Sequence, residues 1–235
     1  MADVSSFLDT EFRMSICILI PVYNESRTIG SLVAAIKKKN FPVIVINDGS
    51  TDNSGLLAGD QGASVITHLK KMGKGYSLKR GFEYVLEEGY DAVVVMDGDG
   101  QHSIDDLDVF LTAAKIHPLA LLVGNRMENA RQMPKVRLLT NKVMSSFISL
   151  VCGQKIPDTQ CGYRYIPRDI LQNLQLKSND FEIESEILTQ VCRKGYKVVS
   201  VPIQTIYQGE TSHINPFKDT LRFLNYFFKE IFQKS

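Results

Sequence analysis

The stretch Val93-Val94-Val95-Met96-Asp97-Gly98-Asp99-Gly100-Gln101 decides the fold. An apolar, β-branched run stops at two carboxylates, two glycines and an amide. Open α/β sheets bind their ligands at the carboxyl ends of their strands. Carboxylate and amide oxygens suit a hard divalent cation, and magnesium usually shares its shell with substrate phosphates. The segment therefore reads as a place where a metal holds a diphosphate, with an ordinary Asp/Gly turn as the alternative. It is not an EF-hand loop. The sixth and twelfth positions of such a loop are Gly and Glu, and here they are His102 and Asp108.

Outward from this stretch, short β-rich runs alternate with helical patterns. Ile16–Ile20, Val43–Ile46, Ala63–Ile66, Ala92–Met96 and Ala120–Val123 read as strands. Between them, Ile29-Leu32-Val33-Ile36 and Leu78-Phe82-Val85-Leu86 have the spacing of one helix face. The alternation predicts βαβ units and a mostly parallel sheet. After about residue 125 the pattern changes. Helices are expected over Lys135–Val151 and Ile183–Lys194, with a polar loop holding Pro157 and Gly162 between them. Val198–Ile203 reads as a strand and Pro216–Gln233 as a last helix. No linker or internal repeat divides the 235 residues, a length that suits one large domain.

Bulk composition excludes several classes. A net charge of +1 gives no general attraction to nucleic acid. Cys17, Cys152, Cys161 and Cys192 form no C-x-x-C pair and no zinc spacing, so they read as reduced thiols of a cytoplasmic protein. No secretory signal is visible after Met1, and no uninterrupted apolar run reaches the roughly eighteen residues of a membrane span.

Two further polar clusters fall at strand ends. Pro21-Val22-Tyr23-Asn24-Glu25 follows the first strand. Pro21, which has no N–H, is expected to stop the ladder. Tyr23 is suited to stack on a base and Glu25 to accept a hydrogen bond from its edge or the ribose. Asn47-Asp48-Gly49-Ser50-Thr51-Asp52 follows the second strand. Helix capping explains one of these residues. Two acidic strand ends in one parallel sheet, Asp48 and Asp97, would however converge on one crevice. Lys70-Lys71-Met72-Gly73-Lys74-Gly75 reads as a phosphate contact or a solvated lysine run. It is not a Walker A loop, because His68 stands where the first glycine belongs.

Taken in order, these motifs resemble family-2 glycosyltransferases, which implies an α/β fold of GT-A type: a Rossmann-like three-layer sandwich around a mostly parallel sheet. The second half is similar to the dolichol-phosphate mannose synthase and dolichyl-phosphate glucosyltransferase branch. The residues that carry this likeness are Gly124-Asn125-Arg126, Asp158-Thr159-Gln160-Cys161-Gly162-Tyr163-Arg164, Phe181-Glu182-Ile183-Glu184, Val201-Pro202-Ile203 and Ser212-His213. The likeness spans about residues 14 to 225. It implies a glycosyltransferase domain over 14–215, an N-terminal extension over 1–13 and an amphipathic helix over 216–235.

The resemblance also implies roles. Pro21, Tyr23, Glu25, Asp48, Lys74 and Asp97 would bind the nucleotide-sugar, a GDP- or UDP-hexose. Asp99 and Gln101, with Asp97, would hold Mg²⁺ or Mn²⁺ against the diphosphate, which neutralises the leaving group. Arg126 and Arg137 match arginines that bind donor or acceptor phosphate, a task suited to planar guanidinium groups. Asp158, Gln160 and Arg164 would shape the loop near the acceptor, with Gln160, Arg164, Ser212 and His213 as acceptor- or phosphate-binding residues. Ser212-His213 stands where close relatives carry Ser-Lys, so position 213 is a phosphate donor, a metal ligand or a solvent-facing histidine. Glu184 matches an acidic residue that serves as base for a hydroxyl acceptor. A lipid phosphate is already anionic near neutral pH and needs no base, so Glu184 would then position or polarise.

The implied activity is metal-dependent, inverting transfer of a hexose to a polyprenyl phosphate at the cytoplasmic face of a membrane. Transfer to a sugar or other soluble hydroxyl acceptor is the alternative within enzymes. A non-catalytic nucleotide-sugar-binding partner of a membrane transferase is the alternative outside them. Phe217, Leu221, Leu224, Phe228 and Ile231 have helical spacing. They fit a helix packed on the domain, on a partner such as a second copy, or on the membrane surface.

Overall fold

The computed structural model describes residues 14–204. The expectations for 1–13, for Ser212 and His213 and for the helix over 216–235 lie outside them. The described chain runs β1 Ile16–Val22, α1 Ile29–Lys38, β2 Val43–Asn47, α2 Ser54–Asp60, β3 Ser64–Thr67, α3 Lys74–Glu87 and β4 Ala92–Val95. It continues with α4 Asp106–Ile116, β5 Leu121–Asn125, a 3₁₀ turn over Met127–Gln132 and α5 Lys135–Cys152. The last elements are β6 Arg164–Pro167, α6 Arg168–Leu171, α7 Ile183–Arg193 and β7 Val198–Pro202.

The strands form one seven-stranded sheet in the order β3-β2-β1-β4-β6-β5-β7. β6 runs antiparallel to β4 and β5, and every other pairing is parallel. β2, β4, β5 and β6 are buried along their whole length. Burial without alternation means that both faces of the sheet are covered, as in a three-layer α/β sandwich. The predicted helix stripe Ile29, Leu32, Val33 and Ile36 is the buried face of α1. Leu78, Phe82 and Val85 do the same for α3. β3, at one edge, is only partly buried.

Two expectations are corrected. Pro21 does not stop β1, which continues to Val22 and pairs Pro21 with Ile46. On the β4 side the ladder ends sooner, with Met96 N donating to Leu19 O at 3.0 Å. Pro21 faces that same side two residues later, beyond the last bond, so its missing N–H costs nothing. The segment after Gly162 is not all loop. Arg164-Tyr165-Ile166-Pro167 inserts between β4 and β5 as the antiparallel strand β6.

Candidate active site

The loops that leave β1 and β2 are stitched together side by side. Asn24 adopts a left-handed backbone, φ 58°. Its side-chain oxygen accepts from Thr51 N at 2.8 Å, and its own N–H donates to Ser50 Oγ at 3.0 Å. Glu25 N donates to Ser54 Oγ at 2.8 Å, and Ser26 N to Asp52 Oδ2 at 3.1 Å. The two loops therefore form one rigid rim, with Tyr23 beside it. The Lys71 ammonium sits 3.8 Å from the centre of the Tyr23 ring.

Asp48, 3 % exposed, is the knot beneath this rim. Oδ1 contacts His68 Nδ1 at 3.0 Å and accepts from Met72 N at 2.8 Å, and Oδ2 accepts from Gly73 N at 2.9 Å. Its carboxylate shapes the Lys70–Lys74 loop. Gly73 has φ +105°, and a Cβ there would meet Asn179 O at 2.4 Å. Only glycine permits this approach, which brings the lysine loop against residues 178–180.

Lys74 is the centre of the arrangement. Its ammonium donates to Asp97 Oδ1 and to Glu184 Oε1, each at 2.6 Å. Asp97 comes from the end of β4 and Glu184 from the first turn of α7, 110 residues from Lys74. Burial opposes the charge on Lys74, but the two carboxylates prevail and hold its pKa above the ordinary lysine range. Burial likewise opposes the charge on Asp97, but Lys74, helped by His102, holds its carboxyl well below the usual range. Asp99 goes the other way. Burial and then the neighbouring charge of Asp97 raise its pKa. Gln101 N donates to Asp99 Oδ1 at 3.0 Å, which fixes the turn.

His102 and Gly162 escaped the sequence reading. His102, 5 % exposed, accepts from Asp97 N through Nδ1 at 3.3 Å and stacks on Tyr163. Burial lowers its pKa, and the ring braces the Asp97 backbone through this contact. A Cβ on Gly162 would lie 2.4 Å from Asp97 Oδ2. The backbone of the polar loop thus packs directly against the Asp97 carboxylate. His102 had a signal, since it adjoins the Asp-Gly-Asp-Gly-Gln run. The contact of Gly162 had none short of the folded chain.

On the second side, Arg126 is 5 % exposed. Its Nε and Nη2 donate to the two oxygens of Asp158 at 2.7 and 2.9 Å, and its backbone N–H to Asp158 Oδ2 at 3.1 Å. Asn141 of α5 donates to Asp158 Oδ1 at 2.8 Å, and Ser145 links Asn141 to Thr159. The pairing holds Arg126 charged. Gln160 is half-buried and donates to Thr159 Oγ1 at 3.1 Å. Arg137 is half-buried on the first turn of α5.

Arg164 is not an acceptor contact. It is 2 % exposed, and its three nitrogens donate to the carbonyls of Cys161, Glu184 and Thr159 at 2.9, 2.7 and 3.0 Å. It clips the polar loop to the start of α7. The physical reason is its position at the start of the buried strand β6, where a guanidinium must find partners inside the protein.

With the geometry established, the comparisons decide the family. The model for "Glycosyl transferase family 2" matches residues 17–175. The chain belongs to glycosyl transferase family 2. It is 30 % identical over 214 residues to "Glycosyltransferase AglJ" of Haloferax volcanii, covering 87 % of this chain and 68 % of that protein. It is 29 % identical over 205 residues to "Undecaprenyl-phosphate mannosyltransferase" of Micrococcus luteus, covering 81 % and 83 %. It is 28 % identical over 200 residues to "Polyprenol monophosphomannose synthase" of Mycolicibacterium smegmatis, covering 79 % and 75 %. Among solved structures, mannosyl-3-phosphoglycerate synthase from Rubrobacter xylanophilus superposes with a TM-score of 0.76 at 15 % identity, covering 95 % and 75 %. A glucosyl-3-phosphoglycerate synthase from Mycobacterium tuberculosis, crystallised with Mn²⁺, uridine diphosphate and phosphoglyceric acid, gives 0.66 at 17 %, covering 90 % and 75 %. These likenesses show the GT-A fold.

The donor set suits a divalent cation. Among the described residues no three His, Cys, Asp or Glu side chains close a metal cage. Asp97 and Asp99 leave most of the shell to a ligand, as magnesium sites for nucleoside diphosphates do. Burial and then the charge of Asp97 raise the pKa of Asp99, and a cation between the two carboxylates would offset both. Among the described residues no helix is long and apolar enough to cross a membrane.

Proposed function

We propose that this glycosyltransferase is metal-dependent and inverting, and that it moves a hexose from a nucleotide-sugar to a polyprenyl phosphate. The observation that carries this reading is Lys74. One ammonium joins Asp97, on the donor side, to Glu184, on the acceptor side. The names of the relatives from Micrococcus luteus and Mycolicibacterium smegmatis support the acceptor class.

In this reading Tyr23, Glu25 and the rim fixed by Asp48 hold the nucleoside. Asp97, Asp99 and Gln101 would hold Mg²⁺ or Mn²⁺, which would supply positive charge against the departing diphosphate. Lys74 keeps Asp97 ionised and oriented. The acceptor phosphate attacks the anomeric carbon on the face opposite the diphosphate. Its oxygen is already anionic, so no proton need be removed. Glu184, bound to Lys74, positions rather than acts as base. Arg126 is held rigid by Asp158, whose contacts use its Nε and Nη2; its Nη1 would serve the acceptor phosphate, and Arg137 would add a second guanidinium.

The test is transfer of labelled hexose from GDP- and UDP-sugars to a short-chain polyprenyl phosphate and to free oligosaccharides. The expected product is a polyprenyl monophosphate sugar, with Arg126→Ala and Arg137→Ala impaired more than Glu184→Gln. Transfer only to an oligosaccharide, with Glu184→Gln the worst variant by the 10²–10⁴-fold of a lost general base, would contradict the reading.

A further inference from the structure

The four cysteines fall into two kinds. Cys17 and Cys161 are fully buried in the core, and burial pushes each thiol up to about 12. Cys152 and Cys192 are half-buried free thiols that stand together, and nothing in the transfer reaction uses them.

Cys152 is the last residue of α5, and Cys192 lies in the last turn of α7. Cys152 Sγ donates to the Leu188 carbonyl at 3.8 Å. Leu188 is four residues before Cys192, so that carbonyl is the one that pairs with the Cys192 N–H inside the helix. The Cys152 thiol is therefore seated on the same helical turn as Cys192, and the two thiols hydrogen-bond to each other. Gly153 ends α5 in the left-handed conformation, φ 63°, and Gln154 follows it back onto α7. Gln154 Nε2 donates to Cys192 Sγ at 3.3 Å, and its Oε1 accepts from Val198 N at 3.3 Å. The second sulfur is thus held in place from the far side.

The contact is polarised. The Cys152 S–H stabilises negative charge on Cys192 and, with the Gln154 amide, lowers its pKa against the effect of burial. The same contact, with burial, raises the pKa of Cys152. Cys192 is the thiol that ionises first, and the thiolate is the form that reacts.

We propose that Cys152 and Cys192 are a redox-responsive dithiol site that reacts with a peroxide, and that the disulfide so formed staples α5 to α7 and slows transfer. The Cys192 thiolate attacks one peroxide oxygen. The O–O bond breaks, and the other oxygen takes a proton and leaves as water, which makes Cys192 a sulfenic acid. Cys152 Sγ then attacks Cys192 Sγ. The S–S bond forms, the S–O bond breaks, and the hydroxide leaves as a second water with the Cys152 proton. The two thiols give up two electrons in all, and one peroxide accepts them. A dithiol reductant reverses the link by exchange.

The segment from Cys152 to Cys192 contains Asp158, Gly162, Arg164 and Glu184. The two joined helices also carry Asn141, which holds Asp158, and Glu184, which meets Lys74. Closing the bond draws the helix ends together and removes chain entropy from the unfolded state. Tyr23, Asp48 and Asp97 lie outside the segment, so nucleotide binding is left in place. None of this depends on which acceptor is used.

The test treats the full-length protein with a small excess of hydrogen peroxide, then denatures it, alkylates it with N-ethylmaleimide and maps it by mass spectrometry. Cys17 and Cys161 alkylate, and Cys152 and Cys192 are recovered as one linked pair of peptides that dithiothreitol releases. The linked protein melts at least about 5 °C higher than the reduced one. Its affinity for UDP and GDP is unchanged. Its transfer is at least about threefold slower, because small misplacements of positioning groups are costly, and dithiothreitol restores the rate. Cys152→Ser and Cys192→Ser keep transfer when reduced and show neither effect after peroxide. Four alkylated cysteines after peroxide, a link between two chains instead of within one, or a linked enzyme with unchanged melting or unchanged transfer overturns the inference. If the reduced protein glycosylates no polyprenyl phosphate while linkage and melting behave as stated, the acceptor reading fails and the dithiol site stands.

Discussion

At the scale of single residues, the site is a balance of buried charge. Lys74 faces two carboxylates at 2.6 Å, with side-chain exposures of 15 % for Lys74, 26 % for Asp97 and 8 % for Glu184. Removing one partner of a buried set leaves the others uncompensated, which is costlier than never having made the pair. Lys74→Met is expected to destabilise the fold by about 3 kcal/mol in denaturant unfolding, with Mn²⁺ restoring part of the loss. Asp99 carries the opposite sign. Its folded pKa is raised, so on titration the unfolded chain releases this proton first. The resulting penalty is absent below the unfolded value near 4. It grows as pH rises and is complete above the folded pKa. Asp99→Asn is therefore expected to be inactive yet more stable than wild type at neutral pH, with the difference vanishing in acid. Thermal unfolding across pH checks this; a variant less stable at neutral pH would mean that Asp99 is a structural anchor.

At the scale of elements, much was legible because period and strand-end chemistry are local. β1, β2 and β4 were recognisable as β-branched runs, and α1 and α3 from one-face spacing. What was not legible depended on distance along the chain. β6 is four residues that begin with Arg164 and end with Pro167, a composition that reads as loop until β4 and β5 supply its edges. Arg126 and Asp158 each stood out in the sequence, but their pairing spans 32 residues. The role of Arg164 was misread because a phosphate-binding arginine and a loop clip look alike until the three carbonyls appear. Arg164→Met should cost about 3 kcal/mol or more, since hydrogen bonds to a charged group contribute about 1.5–3 kcal/mol each. Arg164→Lys should rescue little, because a point charge cannot span three carbonyls. Gly162→Ala tests the contact of the polar loop with Asp97. The added methyl group must move the carboxylate or the loop, so metal-dependent turnover should fall at least about tenfold while the melting temperature changes little. That threshold follows because misplacing a reacting group by about 1 Å is already costly. An unchanged turnover would show that Asp97 can shift without consequence.

At the scale of the whole molecule, the sheet order places β1, β2 and β4 side by side, so Tyr23, Asp48 and Asp97 leave the same edge. The antiparallel β6 starts at that edge, because Arg164 pairs with Val95, which places Gly162, two residues before it, against Asp97. α7 then brings Glu184 to Lys74. In the proposed reading the donor half is a rigid cradle made by the parallel part of the sheet, and the acceptor half is a loop and two helices tied to it by Arg164 and Lys74. The central claim is that the Asp97–Asp99 edge holds a metal–diphosphate unit. It is tested most directly by calorimetric titration of the full-length protein with UDP and GDP, with Mn²⁺ present and with Mn²⁺ removed by excess EDTA, for wild type and Asp99→Ala. The account predicts that at least one nucleotide binds wild type at least about tenfold more tightly with Mn²⁺, and that Asp99→Ala loses this difference. Equal affinity with and without the metal in wild type, or an undiminished metal effect in Asp99→Ala, would contradict it.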